Sequence, residues 1–286
     1  DQLRRLPHDD TYRLDPEALA EAVRADRAAG RRPFCVIANA GTTNTGAVDP
    51  LPRLADVADE HDLWLHVDGA YGAAAVICER GRERLAGLGR ADSLTLDPHK
   101  WLFQPFEIGG VLVREQQHLR RAFQIEAEYL EDAVGELDEV NYADYGIQLT
   151  RSFRALKLWM TLKVYGRQAV GRPLTPGFER SEQAEDRLRE RPDWTGVTPA
   201  QMGIVTFRYA PEDLEPAEAD ALTRRLPQRL KEEGTAMVTK TTLDGRPALR
   251  MCPINPRTSA EDVHRTLTTL DRLAKTLAQN PPASAS

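Results

Sequence analysis

The sequence predicts an α/β protein in which a mostly parallel sheet is layered with helices and followed by a smaller α+β unit. Through the first 165 residues, short apolar runs alternate with amphipathic helical stretches, which is typical of parallel strands joined by crossover helices. Beyond residue 165 the order changes to a charged helix, a strand, a helix, two strands and a last helix. We therefore predict a large domain at 1–165, a small domain at 166–279 and a disordered tail at 280–286.

The first predicted helix begins at Asp15-Pro16-Glu17, where a capping residue precedes a proline and an acid, and it ends near Gly30. Residues 34–38 (Phe-Cys-Val-Ile-Ala) form a continuous apolar run, which is typical of a strand covered on both faces. The other elements predicted for the large domain are a helix at 49–61 and strands at 63–67, 94–96 and 110–113.

The sequence after the last of these strands is less regular. Residues 123–147 are rich in Glu and Asp and have no clear period, so we predict a long mobile loop there. A helix is predicted from about residue 148 to residue 165, with Phe153, Leu156, Trp159, Met160 and Leu162 apolar. For the small domain we predict helices at 177–191, 216–234 and 259–278, and strands at 204–209, 236–241 and 248–252.

Composition limits the classes of function. The chain has 286 residues, a hydrophobic content of 41% and a net charge of −6 with acids and bases interspersed, so we expect no nucleic-acid partner. No apolar stretch approaches the roughly 18 residues of a membrane span, and the first residues do not resemble a signal peptide. Three scattered cysteines and no metal-ligand spacing predict reduced thiols, no metal and a cytoplasmic protein.

Two strings of residues place reactive groups directly after predicted strands. Residues 66–71 (His-Val-Asp-Gly-Ala-Tyr) contain Asp68, and residues 98–101 (Pro-His-Lys-Trp) contain Lys100. A lysine amine can form a Schiff base with the aldehyde of pyridoxal 5′-phosphate (PLP), and a carboxylate can keep the pyridine nitrogen protonated. Taken alone, Lys100 is more simply a surface lysine and Asp68 a strand-end cap. Together they favour a PLP site, because ligands bind at the carboxyl ends of parallel strands.

These strings resemble a known family when three others are added: Gly-Thr-Thr at 41–43, Ala-Asp-Ser at 91–93 and residues 151–159, Arg-Ser-Phe-Arg-Ala-Leu-Lys-Leu-Trp. The set resembles the group II PLP-dependent amino-acid decarboxylases, typified by aromatic-L-amino-acid decarboxylase. The resemblance implies PLP fold-type I, with this chain equivalent to the second half of the large domain and the small C-terminal domain. It also implies PLP-dependent decarboxylation of an L-amino acid to the amine and carbon dioxide.

The resemblance implies roles for five residues. Lys100 would form the Schiff base with the cofactor, and Asp68 would pair with the pyridinium nitrogen. His99 would contact the phosphate, where the alternative is a core histidine with a local hydrogen bond. Thr43 and Ala70 would line the cofactor, although a turn threonine that bonds its own backbone is equally expected at Thr43.

Further residues near these strings are also candidates. Tyr129 lies in the acidic loop, where a tyrosine of the family protonates the α-carbon and aldehyde-forming relatives carry phenylalanine. Asp97 replaces the asparagine of many relatives; because a carboxylate repels phosphate, we expect Asp97 to face away or to orient His99. Arg151 and Arg154 are expected on one helix face, either anchoring the loop or a carboxylate, or in solvent.

The family is also expected to work as a dimer with active sites at the subunit interface, and its members are usually longer than this chain. We therefore expect a homodimer, or a complement formed with an N-terminal chain. The alternatives are another PLP reaction (aldehyde synthesis, transamination or aldolase-like chemistry), a non-catalytic subunit that needs a partner, or cofactor-free binding. The substrate is not readable, although Phe103, Pro105 and Phe106 weakly favour an aromatic amino acid.

Overall fold

The computed structural model describes residues 2–124 and 140–279. The predicted tail at 280–286 and most of the predicted acidic loop therefore lie outside the described residues. Within the described ranges the chain forms two four-stranded sheets, each with its own layer of helices. No helix in those ranges is both long and apolar enough to cross a membrane.

The first sheet is mostly parallel, as predicted. Its strands lie in the order β1-β2-β3-β4; the first two pairs are parallel and the last is antiparallel. The predicted strands are confirmed to within a residue or two at each end. Their bounds are β1 Cys35–Asn39, β2 Trp64–Asp68, β3 Ser93–Leu96 and β4 Gly110–Val113.

Helices of the first unit follow the predicted order, with two additions, at Glu79–Arg84 and Gln116–Phe123. The Asp15 carboxylate accepts hydrogen bonds from the N–H groups of Glu17 and Ala18, which caps the first helix as the sequence predicted. A helix that the sequence did not predict begins at Gln116; it has no buried residue, so it lacks the apolar period that would reveal it. The bounds are α1 Pro16–Ala28, α2 Leu51–Glu60, α3 Glu79–Arg84 and α4 Gln116–Phe123.

One face of the first sheet is covered and the other is open. Val36 and Ala38 of β1 are buried in a core shared with α1 and α2. Ile37 points the opposite way and is 55% exposed, and Val111 of β4 is 50% exposed. The prediction that residues 34–38 are covered on both faces is therefore wrong for the described residues. The apolar run identifies a strand with two apolar faces, and only one of them is packed here.

The second sheet is entirely antiparallel, with strand order β5-β6-β8-β7. Its strands are β5 Trp194–Gln201, β6 Ile204–Tyr209, β7 Thr239–Leu243 and β8 Arg246–Met251. Asp244 and Gly245 both have positive φ between β7 and β8, as a two-residue hairpin turn requires. Strand β5 was not predicted from the sequence; the other three were. Together with three helices the sheet forms the predicted α+β unit.

Four further helices follow; the first packs against the core of the first unit, and the other three share a core with the second sheet. They are α5 Ala155–Gly171, which is broken at Gly166, then α6 Thr175–Arg189, α7 Pro216–Glu232 and α8 Ala260–Gln279. The predicted start of α5 at residue 148 is wrong, since residues 148–154 are not helical. The apolar residues used to predict α5 are also largely exposed: Phe153 is 73% and Trp159 56% exposed. Their spacing indicates a packing face that the described residues do not cover.

Candidate active site

Three of the segments singled out from the sequence meet at one edge of the first sheet. Thr43 follows β1, Asp68 ends β2, and Lys100 lies in the turn after β3. Asp68 pairs in register with Asn39 of β1 and Thr95 of β3. Because β1, β2 and β3 are parallel, all three of their carboxyl ends lie at this edge, where ligands of α/β sheets bind.

Ala70 connects the two strings that contain Asp68 and Lys100. Its N–H donates to Oδ1 of Asp68 at 3.1 Å, and its carbonyl oxygen accepts from the N–H of Asp97 at 3.2 Å. The same turn packs tightly on the segment after β1, because a Cβ at Gly72 would lie 2.2 Å from the carbonyl oxygen of Ala40. The three strand ends are thus held together through backbone contacts.

Lys100 is exposed and forms an ion pair within its own turn. Its Nζ lies 2.9 Å from Oδ2 of Asp97, and its side chain is 40% exposed. Asp97 forms no hydrogen bond with His99 among the described residues, and its carboxylate faces Lys100. A Cβ added at Gly109 would lie only 2.7 Å from Oδ1 of Asp97. The glycine therefore leaves room for this carboxylate. The negative charge of Asp97 is therefore matched by the lysine.

His99 is fixed by the start of β4. Its Nδ1 is within hydrogen-bond reach of the backbone of Ile108, and its ring meets Phe106 edge-on at 5.3 Å between centroids. Within the described part of the chain, no hydrogen bond is found for Nε2 of His99. The local hydrogen bond anticipated as the alternative is therefore present at one ring nitrogen of His99.

The turn that carries Thr43 is built by its neighbours. Thr42 Oγ1 lies 2.8 Å from Thr45 Oγ1 and accepts from the N–H of Ala47 at 3.1 Å. Thr43 itself is exposed, and its carbonyl oxygen accepts from Nε of Arg250 in β8 at 2.6 Å. The threonine that bonds its own turn is thus Thr42, and the Thr43 hydroxyl has no hydrogen bond among the residues described.

Asp49 supports the same turn from beneath. Its carboxylate accepts from the N–H of Leu14 at 2.8 Å and from the N–H of Asn39 at 2.6 Å. Burial raises the pKa of the Asp49 carboxyl above its usual value, although these N–H donors oppose the rise. In the sequence analysis, Asp49 serves only as the start of a predicted helix. Its hydrogen bond with Leu14 could not be predicted, because the two residues are far apart in the sequence.

The aromatic residues of the two strings stack on each other. The rings of Tyr71 and Trp101 are 5.1 Å apart and nearly parallel, and Trp101 contacts Phe178 of α6 at 5.1 Å. The Tyr71 hydroxyl donates to the carbonyl oxygen of Met202 at 2.7 Å, and burial raises the pKa of this phenol well above its usual value. Tyr71 therefore stays a hydrogen-bond donor and joins the candidate site to the second unit.

Arg151 and Arg154, the other described candidates, form no hydrogen bond or ion pair with Asp68 or Lys100. Tyr129 lies outside the described residues. Arg154 pairs with Glu107 at 2.8 Å, and the Arg151 guanidinium lies 6.0 Å from the ring of Tyr142. Both arginines precede α5, so the prediction that they share a helix face is wrong. They line a cleft of about 1130 Å³ beside Pro98.

The described ranges contain no obvious set of metal ligands. Among residues 2–124 and 140–279, no group of three or more His, Cys, Asp and Glu side chains is arranged to hold a metal ion. The segments that follow these strands carry an amine, a carboxylate and an imidazole, together with a threonine hydroxyl. Such a set can bind a small organic molecule that carries an electrophilic carbon and an anionic group.

Comparison with known proteins decides the family. The profile described as "Pyridoxal-dependent decarboxylase conserved domain" matches residues 2–210. The chain belongs to the pyridoxal-dependent decarboxylase family. The family predicted from the sequence is therefore confirmed, and so is the fold class. A crystal structure of Oryza sativa TDC with PLP and tryptamine superimposes with a TM-score of 0.87 and 32% identity, covering 96% of this chain and 57% of that one.

Two curated relatives show the range of names in the pyridoxal-dependent decarboxylase family. Aromatic-L-amino-acid decarboxylase of Bacillus atrophaeus is 43% identical over an alignment of 286 positions, which covers 99% of this chain and 60% of the relative. Phenylacetaldehyde synthase of Arabidopsis thaliana is 34% identical over 253 residues, 88% of this chain and 52% of the relative. The chain thus spans between about half and three fifths of the length of these relatives.

Proposed function

We propose that the protein binds PLP and decarboxylates an L-amino acid to the amine and carbon dioxide. The observation that carries the proposal is the placement of Lys100 and Asp68 at the ends of adjacent parallel strands, with Ala70 hydrogen-bonded to both segments. When bound, PLP supplies a conjugated ring that accepts the electron pair left by the departing carboxylate.

The side chains at this edge fit PLP. The Lys100 amine suits the aldehyde carbon, and the exposed Asp68 carboxylate suits the protonated ring nitrogen. When Nδ1 of His99 accepts from the N–H of Ile108, the ring proton lies on Nε2, which would donate to the phosphate. The ion pair with Lys100 reduces the repulsion that Asp97 would otherwise exert on that phosphate.

The roles of the other residues follow from their positions. Ala70 and Thr43 would line the cofactor, Ala70 through its backbone turn and Thr43 through a hydroxyl that no described residue occupies. Asp68 would hold the proton on the ring nitrogen, while Lys100 would bind the cofactor and release it to the incoming amino acid. We keep Tyr129 as the group that would deliver a proton to the α-carbon, because a phenol is a weak acid that can donate in a closed site.

Oxidative aldehyde formation, which would consume dioxygen and release ammonia with the carbon dioxide, is the second candidate, since phenylacetaldehyde synthase is among the relatives. Tyr129 favours decarboxylation over this reaction by the family resemblance. The variant Tyr129→Phe separates the two: loss of the amine product, with aldehyde in its place, supports the tyrosine as proton donor. Unchanged amine output would remove that role.

We propose a partner chain because part of the apolar surface is left uncovered. The open sheet face around Ile37 and the exposed side of α5 around Trp159 are apolar areas that a soluble monomer rarely leaves bare. A second copy of the chain, or a complementary N-terminal chain, would cover them. The three free thiols Cys35, Cys78 and Cys252 support a reducing, cytoplasmic setting. The division at 165/166 stays a prediction, supported by the two separate sheets.

A cofactor-trapping experiment tests the proposal. The protein, with any copurifying partner, is mixed with PLP, and absorbance at about 420 nm is recorded as the mark of a lysine-bound cofactor. Borohydride reduction followed by peptide mass analysis then locates the cofactor. We expect it on Lys100, with no band in Lys100→Ala and a normal band in Lys240→Ala, which alters an exposed lysine of β7. Label on another lysine would refute the assignment.

A further inference from the structure

Four polar side chains form a chain of hydrogen bonds across the open face of the first sheet. Nε1 of Trp64 donates to Oγ of Ser93 at 2.8 Å, and the same oxygen lies 2.7 Å from Nδ1 of His66. Nε2 of His66 lies 3.2 Å from Oγ1 of Thr95. Sequence analysis singled out the strings at 66–71 and 91–93, but the proposed function uses neither His66 nor Ser93.

Which atom donates in each of these hydrogen bonds follows from the protons that the side chains carry. An indole N–H can only donate, so Ser93 Oγ is an acceptor toward Trp64. Ser93 is 7% exposed, and within the described residues Nδ1 of His66 is the one acceptor that its hydroxyl proton can reach. A buried hydroxyl proton without an acceptor is costly, so Nδ1 must be unprotonated. The proton of the neutral imidazole then sits on Nε2 and is donated to Thr95.

The series of hydrogen bonds ends at Thr95, which is the neighbour of Asp68 in the sheet. His66 and Asp68 are two residues apart in β2, so their side chains share a face, and Thr95 pairs with Asp68 in register. Because the oxygen of Thr95 accepts from His66, its hydroxyl proton is free to donate. The Asp68 carboxylate already accepts one hydrogen bond, from the N–H of Ala70. A second donor would further favour its ionised form.

We infer that His66 is a positioning residue: through the directed hydrogen bonds from Trp64 to Thr95 it leaves the Thr95 hydroxyl proton as a donor for the neighbouring Asp68 carboxylate, with which Thr95 forms no hydrogen bond in the described residues. The relation to the cofactor rests on the proposed function, whereas the direction of the chain does not. In this inference His66 acts through Thr95 and not by contact with the cofactor or the substrate. It does so by occupying the Thr95 oxygen as an acceptor, so that the hydroxyl proton remains available to Asp68.

The first test reads the imidazole directly and needs no cofactor. Nitrogen-15 shifts of labelled histidine are recorded at about pH 8, where an ordinary imidazole is neutral, and His66→Gln identifies the signal. We expect the proton on Nε2 and a hydrogen-bonded Nδ1. Ser93→Ala should move the Nδ1 resonance, whereas Ser181→Ala, which alters a buried serine bonded to the carbonyl oxygen of Phe178, should not. A proton on Nδ1 in the unmodified protein would overturn the inference.

The second test reads the far end of the chain. Thr95→Val removes the hydroxyl and keeps the shape, while Thr95→Ser keeps the hydroxyl. The Asp68 carboxyl carbon-13 resonance should shift in the valine variant and return in the serine variant. The affinity for PLP should fall about tenfold in Thr95→Val, as expected for one hydrogen bond to a charged group, and recover in Thr95→Ser.

The outcomes separate the inference from the proposed function. An Asp68 resonance that is the same in Thr95→Val as in the unmodified protein would overturn the inference, even if PLP binds. Failure of the unmodified protein to bind PLP would instead overturn the proposed function, and the two sets of resonances would still decide the inference.

Discussion

Lys100 is tied to Asp97 twice: Nζ lies 2.9 Å from the carboxylate, and the N–H of Lys100 donates to the carbonyl oxygen of Asp97 at 2.9 Å. The candidate amine is therefore held by an anion from the same turn. The candidate role of Asp97 is therefore to pair with Lys100. The expected repulsion between a carboxylate and a phosphate did not predict this role.

The variant Asp97→Asn tests that contact. It should raise the affinity for PLP several-fold, because the phosphate then meets no extra negative charge and the amine is released from its anion. The cost in stability should stay below about 1 kcal/mol, since the ion pair is partly exposed. Titration with PLP and urea unfolding measure the two effects. A weaker affinity would mean that Asp97 is needed to position Lys100.

The variant Gly72→Ala tests the packing between the strand ends. The new Cβ would lie 2.2 Å from the carbonyl oxygen of Ala40, and backbone cannot move away cheaply. We expect a loss of about 1–3 kcal/mol in the free energy of unfolding. Gly89→Ala is the control, because nothing lies within 4 Å of a Cβ there. Equal urea midpoints for both variants would contradict the packing described here.

The variant Trp101→Ala tests the aromatic stack. Trp101 is fully buried, so its removal should cost about 3–5 kcal/mol in unfolding free energy. Trp159→Ala provides the comparison, since this tryptophan is 56% exposed and its loss should change the stability of the isolated chain by about 0.5 kcal/mol or less. Urea unfolding at several protein concentrations measures both. A large, concentration-dependent loss in Trp159→Ala would reveal a partner on α5.

The fourth prediction concerns alkaline pH. Burial and a hydrogen bond to Asp244 raise the pKa of Tyr12 to about 12. A pKa raised on folding contributes stability below the unfolded value of about 10 and loses it as pH rises through the folded value. The stability advantage over Tyr12→Phe should therefore be constant below about pH 10 and shrink above it. Urea unfolding of both proteins from neutral to alkaline pH checks this; a constant difference would contradict it.

The parts of the fold that the sequence predicted are those with a local signal. Helix α1 carries its cap and proline in consecutive residues, and the first sheet's strands are short apolar runs followed by turns. The placement of Asp68 and Lys100 at one edge followed from the same pattern, because parallel strands align their carboxyl ends.

The parts that were missed lack such a signal. Strand β5 contains Gly196 and Pro199, and its register shifts twice against β6, so its residues do not alternate regularly. The pairing of Asp97 with Lys100 depends on the conformation of one turn. The late start of α5 and the exposure of Phe153 could not be predicted either, because apolar spacing indicates a contact face and not the chain that covers it.

The stack of Tyr71, Trp101 and Phe178 has a consequence for any shortened form of the protein. A truncation ending before α6 would retain every candidate cofactor ligand in its covalent sequence, yet Trp101 would lose Phe178 and the Tyr71 hydroxyl would lose Met202. The turns that carry Tyr71 and Trp101 would then each have one side exposed to water. The smallest piece able to present the amine and the carboxylate together must therefore extend into the second sheet.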